Sequence, residues 1–390
     1  MPEGEQKLLS KGFVECVIIQ FLGYMAFGMT MPVLPMHIVN ISGSTVAAGA
    51  ITGMFAFCAL VMRPFSGYVA DRTNKRTLQT FGLLACAVGS AGYALAPGLG
   101  WLIGVRIVHS IGFVLQSTVT IAITLSMVPK GREGEAVGYF SLTQVVTTAT
   151  APLVGVALAE TFGCPITFLA DAACVTLGAL LSTRVPYKSV IAPKGRGLHL
   201  ESFISMQSVP LAAVAALFAV CSGITSGFIV LLCDNRGIAG AALFFTVSAV
   251  LMFFTRPKAG KIIDRKGIRP VLMPTFFFES AVMLLIAFAS NVWFIIVAGL
   301  LRAFGQGMAQ PSVQAEIMRQ EGKERSGVAS STFNLGLDLG QGVGALFAGW
   351  IAGLYGYGAA FAACPFFLAV ALAIFLVNMH AGSTKTQERG

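Results

Sequence analysis

Long apolar stretches alternate with short polar ones along almost the whole of this chain. Apolar runs of about 20 residues, each long enough to cross a bilayer, fall at about 12–34, 45–66, 78–97, 100–127, 136–159, 165–183, 209–232, 239–257, 270–290, 292–314, 327–351 and 358–378. Backbone groups in hydrocarbon have no water to bond, so each of these twelve spans is expected to be a helix. The polar connections PGLG near residue 98, SNV near 291 and GYG near 357 are too short to hold a folded domain. The longest polar stretch, 184–208, carries proline, glycine and four basic residues. It reads as a linker between two six-span halves, with room for a short surface helix. The expected organisation is an N-terminal six-helix half (1–183), a cytoplasmic linker (184–208), a C-terminal six-helix half (209–380) and a cytoplasmic tail (381–390).

Composition narrows the class. The chain is 56% hydrophobic and 11% charged, against about 25% charged in an ordinary soluble domain, which excludes a water-soluble enzyme. The formal charge of +9 would suggest nucleic acid in a soluble protein. Here 23 of the 26 Lys and Arg fall on one side if the N-terminus is placed inside, with Arg236 outside and Arg106 and Arg302 within spans. That bias is the positive-inside pattern. It predicts a multi-pass protein of the cell (plasma or inner) membrane with both termini cytoplasmic and no nucleic-acid partner. The first apolar run lacks a small-residue cleavage site and reads as a retained span. The eight cysteines show no metal-ligand spacing and read as small buried hydrophobes.

One sentence of charge is written twice. RPFSGYVADRTNKR begins at Arg63, and RPKAGKIIDRKGIR begins 193 residues later at Arg256. Each copy follows the second span of its half. Arg106 and Arg302 recur in the fourth and tenth spans, and Phe162-Gly163 recurs as Tyr355-Gly356. Two six-span halves that both start inside are parallel repeats, an arrangement found in transporters.

The duplicated stretch resembles the loop signature of the major facilitator superfamily, roughly G-x-x-x-D-R-x-G-R-R. In the first half it reads Gly67, Asp71, Arg72, Lys75 and Arg76, with Asn74 in place of the usual glycine. In the second half it reads Gly260, Asp264, Arg265, Gly267 and Arg269. The resemblance covers about 12–378. It implies an all-α membrane protein of twelve transmembrane helices in two pseudo-symmetric six-helix halves, the major facilitator fold. Two further family signatures are only partly present. In R-x-x-Q-G-x-G, Arg106 is followed by His109 and Ser110. In the antiporter pattern G-P-x-x-G-G, Pro152 and Gly155 stand with Ala151 and Val156.

The resemblance implies roles for these residues. Gly67, Asp71, Arg72 and Arg76 would form one gating latch, and Gly260, Asp264, Arg265 and Arg269 a second. Asp71 would dock at the start of the eleventh span and Asp264 at the start of the fifth. A carboxylate beside a helix N-terminus gains about 0.3–2 kcal/mol there. The first, fourth, seventh and tenth spans would line a central cavity. That makes Gln20, Tyr24, Gln116, Ser222, Thr225, Gln306 and Gln310 substrate-cavity candidates, with Asn334 joining from the eleventh.

Charges within spans are expensive and are usually paired or functional. Counted along their helices, Arg302 and Asp338 both reach mid-membrane, a depth that lets them pair, while Glu279 has a depth that lets it share Arg302. Arg106 and Asp171 also match in depth. Structural pairing is the expectation for Asp171 and Glu279. Asp338, Arg302, Arg106 and His109 are the proton-coupling candidates. Gly336, Gly340 and Gly344 lie four apart on one face and predict close packing of a neighbouring helix.

There is no nucleotide-binding loop, zinc signature or nucleophile elbow, so no cofactor, metal or enzymatic activity is expected. The sequence reads as a monomeric secondary transporter in a lipid bilayer, working by alternating access. Its first reading is proton-coupled efflux of a small amphipathic organic compound. A second is proton-coupled uptake or facilitated exchange of a sugar or organic acid. A non-transporting membrane receptor or assembly partner is the alternative from another class.

Overall fold

The structure is a computed structural model that describes residues 10–129, 131–187 and 203–387. Most of the linker, 188–202, lies outside the described residues, and with it the surface helix expected there.

Helices are the only regular elements among the described residues. In the first part of the chain they are α1 (Lys11–Ser42), α2 (Thr45–Arg72), α3 (Lys75–Ala94), α4 (Leu99–Ser126), α5 (Glu133–Phe162) and α6 (Cys164–Arg184). After the linker come α7 (Val209–Asn235), α8 (Ala242–Lys266), α9 (Arg269–Ala287), α10 (Val292–Phe304) and α11 (Gln306–Glu321). The chain finishes with α12 (Ser326–Tyr355), α13 (Tyr357–Ala362) and α14 (Cys364–Gln387). The twelve predicted spans are all present, the tenth as α10 with α11 and the twelfth as α13 with α14. Eleven described runs are long and apolar enough to cross a membrane. The remaining span is α3, whose first turns carry Lys75, Arg76 and Gln79.

Several ends differ from the apolar pattern, and the reasons are local. The repeated charged stretches are not loops. α2 and α8 run on through most of each, past Pro64 and Pro257, to Arg72 and Lys266. The stop comes at Thr73 and Gly267, the latter at φ 75°. α1 likewise continues past Pro32 and Pro35 to Gly43, which ends it at φ 66°. Starts are fixed by side-chain caps: Ser10, Ser44, Asn74 and Asn291 accept from Phe13, Ala47, Arg76 and Trp293 N–H.

The chain divides into two compact units. The first comprises Met1–Arg132, Tyr139–Ile204 and Glu321–Ser331. Within it α3 packs on α4 and α6, and α1 packs on α2, α4 and α6. Gly82 and Gly112 let α3 and α4 touch backbone to backbone: a Cβ on Gly112 would lie 2.6 Å from the Gly82 carbonyl. One core cluster gathers Cys16, Ile19, Leu83, Cys86, Phe113 and Val119, and a second gathers Leu34, Ile38, Tyr93, Leu102 and Phe168.

The second unit comprises Glu133–Gly138, Ser205–Gln320 and Thr332–Gly390. Within it α10 packs on α8 and α9, and α14 on α7 and α9. Gly336, Gly340 and Gly344 of α12 lie against the carbonyls of Ala212, Ala216 and Val220 on α7. The glycine stripe therefore does what its spacing predicts. Large apolar side chains such as Phe57, Phe81, Leu153, Phe277, Leu346 and Trp350 point outward, as they do where the solvent is lipid.

Candidate functional site

The repeated aspartates occupy equivalent positions in the two units. In the first unit, Asp71 Oδ1 accepts from Gly327 N–H at 2.7 Å and Oδ2 from Val328 N–H at 3.0 Å. These are the second and third residues of α12, and their N–H groups have no acceptor within the helix. In the second unit, Asp264 accepts from Gly134 N–H at 2.7 Å and Glu135 N–H at 2.9 Å, the second and third residues of α5. Glycines allow both approaches. A Cβ on Gly67 would stand 2.9 Å from the Gly327 carbonyl, and one on Gly134 would stand 2.6 Å from the Gly260 carbonyl.

The surroundings of the two aspartates differ. Asp71 is buried, and the ammonium of Lys75, also buried, sits 3.2 Å from its Oδ1. The repeat position of Lys75 is Ile268, and Asp264 is half-buried. Charge there is supplied differently, by Lys261 at 3.3 Å from Glu135. Around Asp71, the Arg63 carbonyl accepts from Ser331 Oγ and its guanidinium donates to Ser117 Oγ at 2.8 Å. Arg72 stacks 3.8 Å over the Tyr68 ring, and Arg76 donates to the Val185 carbonyl at 3.3 Å. Arg265 and Arg269 are exposed.

The charges within spans are placed differently from their depth matching. Arg302 Nη1 lies 3.0 Å from Glu279 Oε1, Nη2 donates to Ser222 Oγ at 2.8 Å, and Nη1 reaches Thr225 Oγ1 at 3.4 Å. Glu279 is thus a carboxylate partner of Arg302. Asp338 is half-buried on α12, one turn after the half-buried Asn334. Arg106 and Asp171 are both fully buried but do not form an ion pair. Asp171 accepts from Thr30 Oγ1 and from Ser90 Oγ at 3.0 Å, whereas Arg106 donates to the Thr52 carbonyl at 2.9 Å and lies over Phe55. The reason is that α3 packs on both α4 and α6, and equal depth on two helices ignores a third that contacts both. His109 contacts α3 there, with Nδ1 3.2 Å from Tyr93 Oη.

The register of the repeat is also corrected. α4 begins at Leu99 and α10 at Val292, an offset that sets Arg302 opposite His109, one turn beyond Arg106.

Of the cavity candidates, Gln116 is buried against Gly23, whose Cβ position is 3.2 Å from its Nε2. Gln20 is buried with Oε1 unbonded, and Tyr24 packs edge-on to Phe113. Gln306 and Gln310 lie in a closed seam of the second unit, too narrow for a water molecule, with Ala215, Phe218, Ala309, Val313 and Leu337. Ser222 and Thr225 are held by Arg302. Sequence reasoning missed the Glu135–Lys261 pair and the hydroxyl partners of Asp171. The Asp71–Lys75 pair was readable from its i, i+4 spacing.

Residues 16–278 and 237–390 match the family model described as Major Facilitator Superfamily. The uncharacterised MFS-type transporter YhhS of Escherichia coli (strain K12) is 25% identical over 377 residues, covering 93% of this chain and 91% of that protein. A multi-drug resistance efflux pump PmrA homolog of Lactococcus lactis subsp. lactis (strain IL1403) is 26% identical over 349 residues, covering 84% and 85%. The crystal structure of the human organic anion transporter MFSD10 (TETRAN) has the same fold, with a TM-score of 0.80 at 15% identity over 93% of this chain and 98% of that one. With both halves matched by one family and the twelve spans in place, the chain belongs to the Major Facilitator Superfamily of membrane transporters.

Proposed function

We propose that this transporter works by alternating access and exports a small amphipathic organic compound in exchange for protons. The observation that carries alternating access is the twinned contact of Asp71 and Asp264 with helix N-termini. Each is made of polar bonds across glycine-thin surfaces, so it can part without exposing a torn apolar core. Gly67, Asp71, Arg72 and Arg76 act as one latch, and Gly260, Asp264, Arg265 and Arg269 as the other. Both lie at the cytoplasmic ends of their helices, a placement supported by the clustering of basic residues there.

Similarity to the efflux pump homologue favours export. The apolar side chains beside Gln306 and Gln310, among them Phe218, Val313 and Leu337, favour a substrate that is mostly hydrocarbon with a few polar groups. Gln20, Tyr24, Gln116, Ser222, Thr225 and Asn334 complete the cavity set. Asp338 is the coupling carboxylate, with Arg302, Arg106 and His109 setting the field around the path.

The test is proton movement in inverted vesicles with an inside-acid gradient read by a pH-sensitive dye. Candidate amphipathic compounds are added to vesicles bearing wild type or Asp338→Asn. Dissipation by compounds in wild type alone supports antiport through Asp338. If no compound moves protons while radiolabelled sugars or organic acids accumulate, the uptake reading replaces it.

A further inference from the structure

The tenth span is broken, and the break is built. α10 ends at Phe304 and α11 begins at Gln306; Gly305 between them has φ −76° and ψ −104°, far from helical ψ. Backbone groups freed inside a bilayer must find partners, and here side chains supply them. The Gln306 N–H, which in a continuous helix would bond the Arg302 carbonyl, donates to Glu279 Oε2 at 2.9 Å. The Ala303 carbonyl accepts from Thr255 Oγ1 at 3.1 Å. Glu279 is fully buried, and its other oxygen holds Arg302, which reaches on to Ser222 and Thr225 of α7.

The first half of the chain is an internal control. With the repeat offset of 193, Gly305 corresponds to Gly112, Glu279 to Cys86 and Arg302 to His109. The Cys86 thiol donates to the His109 carbonyl at 3.7 Å, and α4 is continuous from Leu99 to Ser126. A glycine at this place does not break the helix by itself. The half with the carboxylate is the half with the break, and it also has Gly307 and Pro311 where the first half has Val114 and Thr118.

We propose that Glu279 is a positioning residue for transport: its carboxylate holds the tenth span as two half-helices hinged at Gly305, and so sets where Gln306 and Gln310 stand. Gln306 joins the two ends of this arrangement. Its backbone bonds Glu279, while its side chain lies in the closed seam with Oε1 buried and unbonded. A charge at 279 thereby fixes an amide that the proposed function, on which this step rests, assigns to the substrate path. The charged and titratable groups around the pair are Arg302, Arg256, Cys221 and Cys364.

The test is amide hydrogen exchange on the full chain in lipid nanodiscs, following peptides that cover 301–312. It needs no substrate, so its failure leaves the export reading standing. Glu279→Ala is expected to speed exchange at 304–309 on the order of ten-fold, the factor that losing one hydrogen bond to a charged group produces, with α7 and α14 unchanged. Glu279→Cys combined with Arg302→His transplants the first half's pair and is expected to restore slow exchange through a continuous helix. Unchanged exchange at 304–309 in Glu279→Ala overturns the proposal. So does an equal rise across the whole second unit, or a double variant that exchanges as fast as Glu279→Ala. If Glu279→Ala does not fold, Glu279→Met takes its place. It fills the site but offers the Gln306 N–H no acceptor, and exchange equal to wild type in it also overturns the proposal.

Discussion

Replacing Asp71 with Asn should cost far more than replacing Asp264 with Asn, although the two residues make the same pair of backbone bonds. In each, the amide keeps one oxygen acceptor and loses one charge-assisted bond, about 1.5–3 kcal/mol. Asp71 carries a second cost. Its Oδ1 lies 3.2 Å from the ammonium of Lys75, which is 1% exposed, and a buried charge stripped of its partner costs about 3–5 kcal/mol. The two costs overlap because they share the carboxylate, so a net loss of about 4 kcal/mol is expected for Asp71→Asn and about 2 kcal/mol for Asp264→Asn. At about 2–4 °C per kcal/mol for units of 150–250 residues, the first variant should melt roughly 4–8 °C below the second. Scanning fluorimetry in one detergent measures this directly. The decisive arm is Lys75→Met. Alone it should destabilise, by leaving Asp71 buried without its cation. In Asp71→Asn it should recover stability, giving a coupling of about 1–3 kcal/mol in the double-mutant cycle. Equal melting of the two Asn variants, or no recovery with Lys75→Met, would refute the reasoning.

Lys261→Met should shift melting little, because its bond to Glu135 involves a lysine 53% exposed and such pairs are worth about 0–1 kcal/mol; a loss above about 2 kcal/mol would point to a buried role. Gly340→Ala should destabilise by about 1–3 kcal/mol, since the new methyl meets the Ala216 carbonyl, while Gly342→Ala, whose Cβ position is open, should be silent in the same assay. Gly67→Ala should destabilise like Gly340→Ala, because its Cβ would press on Ser331 and the Gly327 carbonyl.

Much of the scaffold was legible because lipid imposes one rule on every span: about 20 apolar residues and no open backbone. Span ends were less legible. Hydropathy falls at the membrane surface, but a helix stops only at a breaker, so α2 and α8 carry their charges in helical turns to Arg72 and Lys266. The stripe Gly336, Gly340, Gly344 was readable because a four-residue period alone puts three glycines on one face. The separate partners of Arg106 and Asp171 were not. Depth follows from counting residues, but azimuth and the third helix, α3, do not. Likewise the residues after Gly305 differ from those after Gly112, with Gly307 and Pro311 in place of Val114 and Thr118, but the acceptor of the freed N–H, Glu279, lies 26 positions upstream on another helix.

The same duplication explains why the halves need not do the same work. Repetition supplied both with six helices, a glycine-thin crossing and an aspartate on a helix N-terminus. It did not preserve their buried charges. The first unit keeps Asp171 among hydroxyls from Thr30 and Ser90, with Arg106 bonded elsewhere. The second pairs Glu279 with Arg302 and spends the remaining oxygen on a broken helix. A continuous, hydroxyl-lined α4 resists local change, because each turn is bonded to the next and to its neighbours. A span broken at one glycine is held there by a few side-chain bonds, from Glu279 and Thr255. If one half moves internally during transport, the bonding places that movement in the second.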